Sequence, residues 1–303
     1  MSCLAQQSGV SEQMVAFGAE WLPGERLSQH TSLGVGGPAD IIRVHDARCL
    51  PELAAYVRGH GVPWRILGGG SNLLVADQGL PDVLLQLAYG EAVTFTGNRA
   101  EVPAAASLGT AVLECAKRNL GGMEGLAGVP GTVGGALRMN AGAYGTEVGN
   151  VVHAVTVFHG ATGLIETVKP ERVRFEYRRA SFSPDDVILA ATLELRHCPY
   201  AEILEHTKQC NRKRRASQPL QERSAGCIFK NPPGRSTGKM LDELGLKGTR
   251  VGGAVISERH PNFIVNRYQA TAADILKLMD LIRARVLKAF GLELEEEVIV
   301  WKG

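Results

Sequence analysis

The stretch RSAGCIFKNPPG, residues 223 to 234, sets one thiol, Cys227, behind small residues and ahead of an aromatic, a lysine, an asparagine and two prolines. A lone intracellular cysteine is ordinarily a small buried thiol that packs as a hydrophobe. Chemistry at Cys227 therefore needs a reason from elsewhere in the chain. Two glycine loops offer one. LGGGSNLL places Gly68, Gly69 and Gly70 after a short apolar run and follows them with Ser71 and Asn72. Backbone N–H groups with no side chains in the way make a nest for an anion, so this loop suits a diphosphate. In GVPGTVGGALRMNAGAYG, residues 128 to 145, the turn at Gly128, Pro130 and Gly131 leads into Gly134 and Gly135, where a helix is expected to start. Either loop alone reads as a tight turn packed on strands. The two together point to a dinucleotide held between them.

Two other glycine motifs fail on context. GVGGPA fits a dinucleotide fingerprint by spacing, but Pro38 and a β-branched strand follow it where a helix is required. GRSTGKM has three residues between its glycines where a phosphate loop has four, and no Ser or Thr after Lys239. At the other end of the chain, Glu295, Glu296 and Glu297 read as a solvated charge run, except that Glu297 abuts VIVW and alternates onto one face with Ile299 and Trp301. A carboxylate at the mouth of a buried strand is a candidate for function.

These groups must be positioned by the elements around them. ADIIRV reads as a strand, the Pro51-led segment to Gly61 as a helix and WRIL as a buried strand, a β-α-β unit ending in the first glycine loop. Hairpins are expected at residues 92–102 around Gly97-Asn98 and at 151–168 around His159-Gly160, with a helix over 108–120 and a long strand at DVILAATLELR. Character changes at Cys198-Pro199, after which come a helix over 201–215, a short helix near 237–245 and strands at GAVIS and NFIVN. Then follows a helix with a Thr271/Asp274 capping box, an apolar face of Ile275, Leu278, Met279, Ile282 and Val286, and a Gly291 stop. EEEVIVWKG, apolar on both faces, is expected inside a sheet. Residues 1–18 are polar and unpatterned and read as a frayed extension.

Composition bounds the partners. With 303 residues, 45% of them hydrophobic, the chain can bury one large core or two to three smaller ones. A net charge of +2 gives no single-sign field of the kind nucleic-acid or anionic-membrane binders use. The isolated NRKRR run, residues 211 to 215, lacks interleaved aromatics. Six cysteines, none in a C-x-x-C pair, read as reduced thiols without a metal site. No stretch approaches the ~20 apolar residues of a membrane span, and the reading is a cytoplasmic protein acting on a small molecule, without nucleic-acid or membrane partners, as a monomer or weak oligomer.

HTSLGVGGPAD, LGGGSNLLV, GLAGVPGTVGGALRMNAGAYG, FEYRRASF, SAGCIFKNP and LEEEVIVW stand in this order along the chain. In these motifs, from about Arg26 to Lys302, the sequence resembles the UDP-N-acetylenolpyruvoylglucosamine reductase family, in the subclass without the extra substrate-domain loop. The resemblance implies an α+β fold: an FAD-binding domain of the vanillyl-alcohol-oxidase (PCMH) type in two subdomains, 19–84 and 85–200, plus a smaller α/β substrate-binding domain, 201–290. Residues 291–303 would return as a strand to the active site. It also implies non-covalent FAD, NADPH as hydride donor, and reduction of an enolpyruvyl ether through an enolate whose C2 must be protonated.

Three residues match the family's catalytic positions. Arg178 corresponds to the arginine that stabilises the substrate carboxylate and enolate, a role suited to a planar fixed charge. The family has a serine two residues later, where Ala180 stands here with Ser181 after it, so Arg179 is the lesser alternative. Glu297 corresponds to the glutamate of the closing strand. Cys227 occupies the place of the serine that protonates C2; a thiol, with a reference pKa of about 8.5, is the better acid provided it stays protonated. Lys230 and Asn231 resemble substrate-domain contacts, and Tyr144 is a candidate for touching flavin or sugar. Arg215 stands either near the UDP diphosphate or at the solvated end of a helix. Rival readings are another flavoenzyme of this fold and a nucleotide-sugar binding protein that has lost the chemistry.

Overall fold

The structure, a computed structural model, describes residue 4, residues 9–90 and residues 92–303. The chain forms two compact units: residues up to 24, 40–69 and 81–213 make the first, and residues 25–39, 70–80 and 214–303 the second. Residues 25–39 and 70–80 thus cluster with the C-terminal part, although in sequence they lie among the segments expected to bind flavin. The reason is packing, since Leu33, Val35 and Leu74 are sealed in the C-terminal core. Residues 1–3 and 5–8 of the expected N-terminal extension lie outside the described residues. Within it, helix α1 (Val10–Ala16) buries Val10 and Met14, so this part is docked and not frayed.

In the first unit the expected β-α-β unit forms from strand Pro38–Val44, helix α2 (Leu50–Gly59) and strand Trp64–Ile66. Its two strands are not neighbours. Val83–Leu87 lies between them and is parallel to both. Inward-facing Ile42, Val44, Leu53, Val57, Val83 and Leu85 bury against Phe158 and Leu189 in one core. A second sheet is wholly antiparallel, in the order Leu164–Val168, Val152–His159, Asp186–Glu194, Arg99–Pro103, Thr94–Thr96. Its hairpin at Gly97-Asn98 has the two-residue turn expected, with φ +60 at Gly97. The hairpin expected to turn at His159-Gly160 turns instead over 160–163. His159 pairs with Leu164, and Gly163 supplies the positive φ that closes the loop. Helices α3 (Leu108–Lys117) and α4 (Val133–Arg138) contribute Ala111, Val112, Val133 and Leu137 to the core that this sheet shares.

Helix α5 (Tyr200–Ser217) runs from the first unit to the second. The second unit holds α6 (Thr237–Glu243), α7 (Ala272–Phe290), an antiparallel sheet of Arg250–Val251, Ala254–Ile256 and Ile264–Asn266, and a parallel pair of Ile299–Trp301 with Leu73–Val75. The expected capping box at Thr271/Asp274 forms, and Gly291 ends α7 in the left-handed conformation. Ile275, Leu278, Met279, Ile282 and Val286 are all buried, each burial stabilising by about 1.5–3 kcal/mol. The start of α7 has a second anchor from far along the chain: both carboxylate oxygens of Asp77 accept from its first N–H groups, at Ala272 (2.7 Å) and Ala273 (3.0 Å). Among the described residues no helix is long and apolar enough to cross a membrane, and no cluster of metal-ligating side chains occurs.

Candidate active site

In the first unit the two glycine loops meet. A Cβ on Gly69 would lie 2.9 Å from the Cα of Gly131, and one on Gly68 would lie 3.0 Å from the Thr132 hydroxyl. Gly131 has φ +110, which L side chains rarely adopt. Two loops in backbone-to-backbone contact present main-chain surface with nothing projecting from it. That is the cradle a diphosphate requires, so these residues fit FAD. Gly128 lies in the turn that leads into this loop, and Pro130 immediately precedes Gly131. Gly134 and Gly135 also have structural partners: the Gly134 N–H donates to the Ala104 carbonyl and the Gly135 N–H to the Thr132 hydroxyl that caps α4. A Cβ on Gly134 would stand 3.0 Å from that of Ala104, so this glycine lets the helix lie close to the sheet.

Arg178 and Tyr144 both sit at strained turns of the same unit. The Arg178 turn joins Phe175–Glu176 to Arg179–Ala180 with φ +57, and the Tyr144 turn joins Gly142–Ala143 to Thr146–Glu147 with φ +52. A left-handed non-glycine residue costs on the order of 1 kcal/mol or more and persists where its surroundings hold it. Here Arg178 Nη2 donates to the Gly142 carbonyl at 2.8 Å, tying one hairpin to the other. Asn140, 1% exposed, ties them again: its amide donates to the Glu176 carbonyl and to Glu147 and accepts from the Gly149 N–H. Arg178 is half-buried beside the Tyr177 ring, whereas Arg179 is exposed. Ser181 is engaged locally, its hydroxyl accepting from the Arg174 N–H.

The second unit brings Cys227 and Glu297 onto adjacent stretches of backbone. The Glu297 N–H donates to the Ile228 carbonyl at 2.8 Å, the Lys230 N–H donates to the Glu295 carbonyl at 2.9 Å, and Phe229 bridges Glu296 in antiparallel register. The closing strand thus lies between the Cys227 segment and strand Leu73–Val75, whose preceding residue Asn72 accepts from the Ile299 N–H. The three glutamates separate by what their side chains meet. Glu295 is exposed and pairs with Lys230, Glu296 pairs with Arg283, and Glu297 is half-buried. Cys227 is half-buried, whereas Cys115, Cys198 and Cys210 are buried. Burial pushes the Cys115 thiol up to about 12 and the half-buried Cys49 up to about 11.

The remaining candidates divide. Gly70 has φ +61, and a Cβ there would fall 1.8 Å from the His30 carbonyl, so close backbone packing fixes it as glycine. Ser71 is half-buried beside it. Asn72 directs its amide to the Glu297 carbonyl at 3.0 Å. Asn231 accepts from the Thr237 N–H at the start of α6, and Lys230 is drawn to Glu295. Arg215 is exposed and lines an open cleft of about 670 Å³ with Pro219, Ser257 and Arg259. Cys227, Lys230, Asn231 and Glu297 are not among the residues lining that cleft. Sequence reasoning passed over Asn262, which is 3% exposed and bonds Phe229 through both its amide atoms. Its only local signal was a polar residue at the head of NFIVN, and its partners lie 33 residues away.

The first unit belongs to a class of FAD-binding proteins, since residues 38–169 match the FAD binding domain family. Residues 218–301 match the UDP-N-acetylenolpyruvoylglucosamine reductase C-terminal domain family. The chain is 42% identical over 280 residues to UDP-N-acetylenolpyruvoylglucosamine reductase 2 of Symbiobacterium thermophilum, covering 91% of each. It is 43% identical over 272 residues to the reductase of Thermus thermophilus, covering 90% of this chain and 97% of that one. The crystal structure of the Thermus caldophilus reductase superposes with a TM-score of 0.80 at 41% identity, covering 93% of this chain and 98% of that one. The chain belongs to the UDP-N-acetylenolpyruvoylglucosamine reductase family, the FAD-dependent oxidoreductases of peptidoglycan synthesis.

Proposed function

We propose that this chain reduces UDP-N-acetylenolpyruvoylglucosamine to UDP-N-acetylmuramate with NADPH, in the cytoplasm. One observation supports the reading at the level of residues: the hydrogen bond from the Glu297 N–H to the Ile228 carbonyl sets the backbone of residue 297 against that of residue 228, the chain neighbour of Cys227. Cys227 and Glu297 correspond to the family's acid and its closing-strand glutamate. The chemistry that bound FAD supplies is hydride transfer, from NADPH to C3 of the enolpyruvyl ether. Gly68, Gly69, Pro130 and Gly131 would hold its diphosphate, with Gly128, Gly70, Ser71 and Tyr144 around them.

Hydride arriving at C3 leaves an electron pair at C2 delocalised into the neighbouring carboxylate. Arg178 stabilises that charge with a permanently cationic fork, and its strained, doubly tethered turn keeps the fork from reorganising as charge develops. Cys227 gives its proton to C2: the S–H bond breaks as C2–H forms, and the thiolate recovers a proton from solvent. Glu297 polarises the carboxylate region and assists that protonation. Lys230, Asn231 and Arg215 bind the nucleotide sugar, and residues 201–290 form the substrate-binding part of a monomer or weak oligomer.

The test is the visible spectrum of the purified protein under anaerobic conditions, first with NADPH and then with UDP-N-acetylenolpyruvoylglucosamine. Bleaching by NADPH followed by recovery on adding substrate is the expected result. A flavin that bleaches and does not recover points to another electron acceptor, and a protein without flavin overturns the reading.

A further inference from the structure

Cys227 and Glu297 are held by backbone, and that backbone is held by two asparagine side chains. The Asn262 amide accepts from the Phe229 N–H at 3.1 Å and donates to the Phe229 carbonyl at 2.7 Å, while the Asn262 main-chain carbonyl accepts from the Ile228 N–H at 2.8 Å. The Ile228 carbonyl is the acceptor for the Glu297 N–H. The Glu297 carbonyl in turn accepts from the Asn72 amide at 3.0 Å, and the Asn72 main-chain carbonyl accepts from the Ile299 N–H at 3.0 Å. The main-chain groups of residues 228, 229 and 297 are thus engaged in one continuous series running from Asn262 to Asn72. An amide carries a donor and an acceptor on separate atoms, so the Asn262 side chain can meet both the N–H and the C=O of Phe229. At 3% exposure, Asn262 is too deeply buried for water to replace it without cost. Neither amide is placed to touch substrate through these bonds. Asn262 directs both its amide atoms, and Asn72 one N–H, to the backbone that carries the two candidate side chains.

We propose that Asn262 and Asn72 are positioning residues, a pair of amide clamps that fix the separation of the Cys227 thiol from the Glu297 carboxylate. This rests on the reading of Cys227 and Glu297 given above. A misplacement of about 1 Å at a reacting group costs on the order of 100-fold in rate. Loosening either clamp therefore slows the protonation step far more than it weakens flavin or substrate binding.

The experiment uses the flavin-loaded, full-length protein and follows the two half-reactions separately by stopped flow. In Asn262→Leu and Asn72→Leu, reoxidation of reduced flavin by UDP-N-acetylenolpyruvoylglucosamine is expected to fall by ~10- to 100-fold. The fall should appear in the limiting rate with little change in the substrate concentration at half-saturation, and reduction by NADPH should slow far less. Each substitution is then repeated in a Glu297→Gln background. If Asn72 acts through Glu297, Asn72→Leu costs much less there than in the native protein. Fully additive effects, or a reoxidation rate untouched by both leucine variants, overturn the clamp. Loss of flavin from Asn72→Leu would assign Asn72 to the cofactor cradle and also overturn it. If Asn262→Leu does not fold, Asn262→Asp keeps the acceptor for the Phe229 N–H and replaces the donor by a carboxylate oxygen that faces the Phe229 carbonyl, and the same criteria apply. A Glu297→Gln variant that reoxidises at the native rate would instead refute the active-site reading beneath the clamp.

Discussion

The glycine cradle of the first unit and the Cys227–Glu297 segment of the second solve opposite problems. In the cradle, side chains are excluded: Gly69 and Gly131 approach so closely that a single added carbon would strike main chain. In the second unit the candidate groups are side chains, and the backbone beneath them is engaged in a series of hydrogen bonds through residues 228, 229, 262 and 297. A cradle for a diphosphate tolerates no bulk but needs little aim, because several N–H groups share the ligand. A proton donor acts through one atom and needs aim above all.

Substitutions separate the two regions. The largest effect is expected from Gly69→Val, whose Cβ would stand 2.9 Å from the Gly131 Cα. Flavin content of the purified variant, read from its visible absorbance, should fall by more than about tenfold, because neither backbone can retreat without opening the cradle. A variant that retains full flavin would break the contrast. Next is Cys227→Ser, which should keep its flavin and its reduction by NADPH. Substrate-driven reoxidation should change by ~10-fold or more, the general range for a repositioned or weakened acid. With Cys227 as the proton donor, reoxidation of the native protein is expected to fall at high pH as the thiol loses its proton, and Cys227→Ser should remove that fall. An unchanged pH profile would remove Cys227 from the proton-transfer step.

Two smaller effects probe the scaffold of the second unit. Asp77→Ala deletes both acceptors for the first N–H groups of α7. Loss of a helix cap costs about 0.5–2 kcal/mol, measurable as a lowered denaturation midpoint with native flavin content. Asp274→Asn should matter less and only at certain pH. N–H bonds from Thr271 and then from Gly253 hold the Asp274 carboxyl below the usual carboxylate range. A carboxylate lowered in the folded state stabilises above its unfolded pKa of about 4, and that contribution is lost as pH falls through the folded value. The stability gap between Asp274→Asn and the native protein should therefore be present at neutral pH and close under acid. A gap that persists at pH 2 would assign the role to shape and not to charge.

Much of the fold was legible locally. The capping box, the five-residue apolar face and the glycine stop of α7 lie within one segment, and each is a short-range physical rule that tertiary packing had no reason to override. The two glycine loops were legible as sites of close backbone approach, because only glycine leaves the main chain uncovered. Less was visible where the governing contacts are distant. The 160–163 loop took its turn from Gly163, three residues beyond Gly160 where the turn was expected, because cross-strand register decided which glycine closed it. Strand Val83–Leu87 entered between the two strands of the β-α-β unit, an order that periodicity does not encode.

The candidate site divides in the same way. Residue types and spacing picked out the two glycine loops as a candidate diphosphate cradle, whereas Arg178 and Cys227 were singled out only through the family resemblance. Sequence also separated Glu297 from its two neighbours, through its place next to an apolar strand. Only the tertiary structure decided what Asn72, Asn262 and Gly134 do. Their partners lie 225, 33 and 30 residues away, and a hydrogen bond or close contact across such a distance is fixed by how the chain folds back on itself.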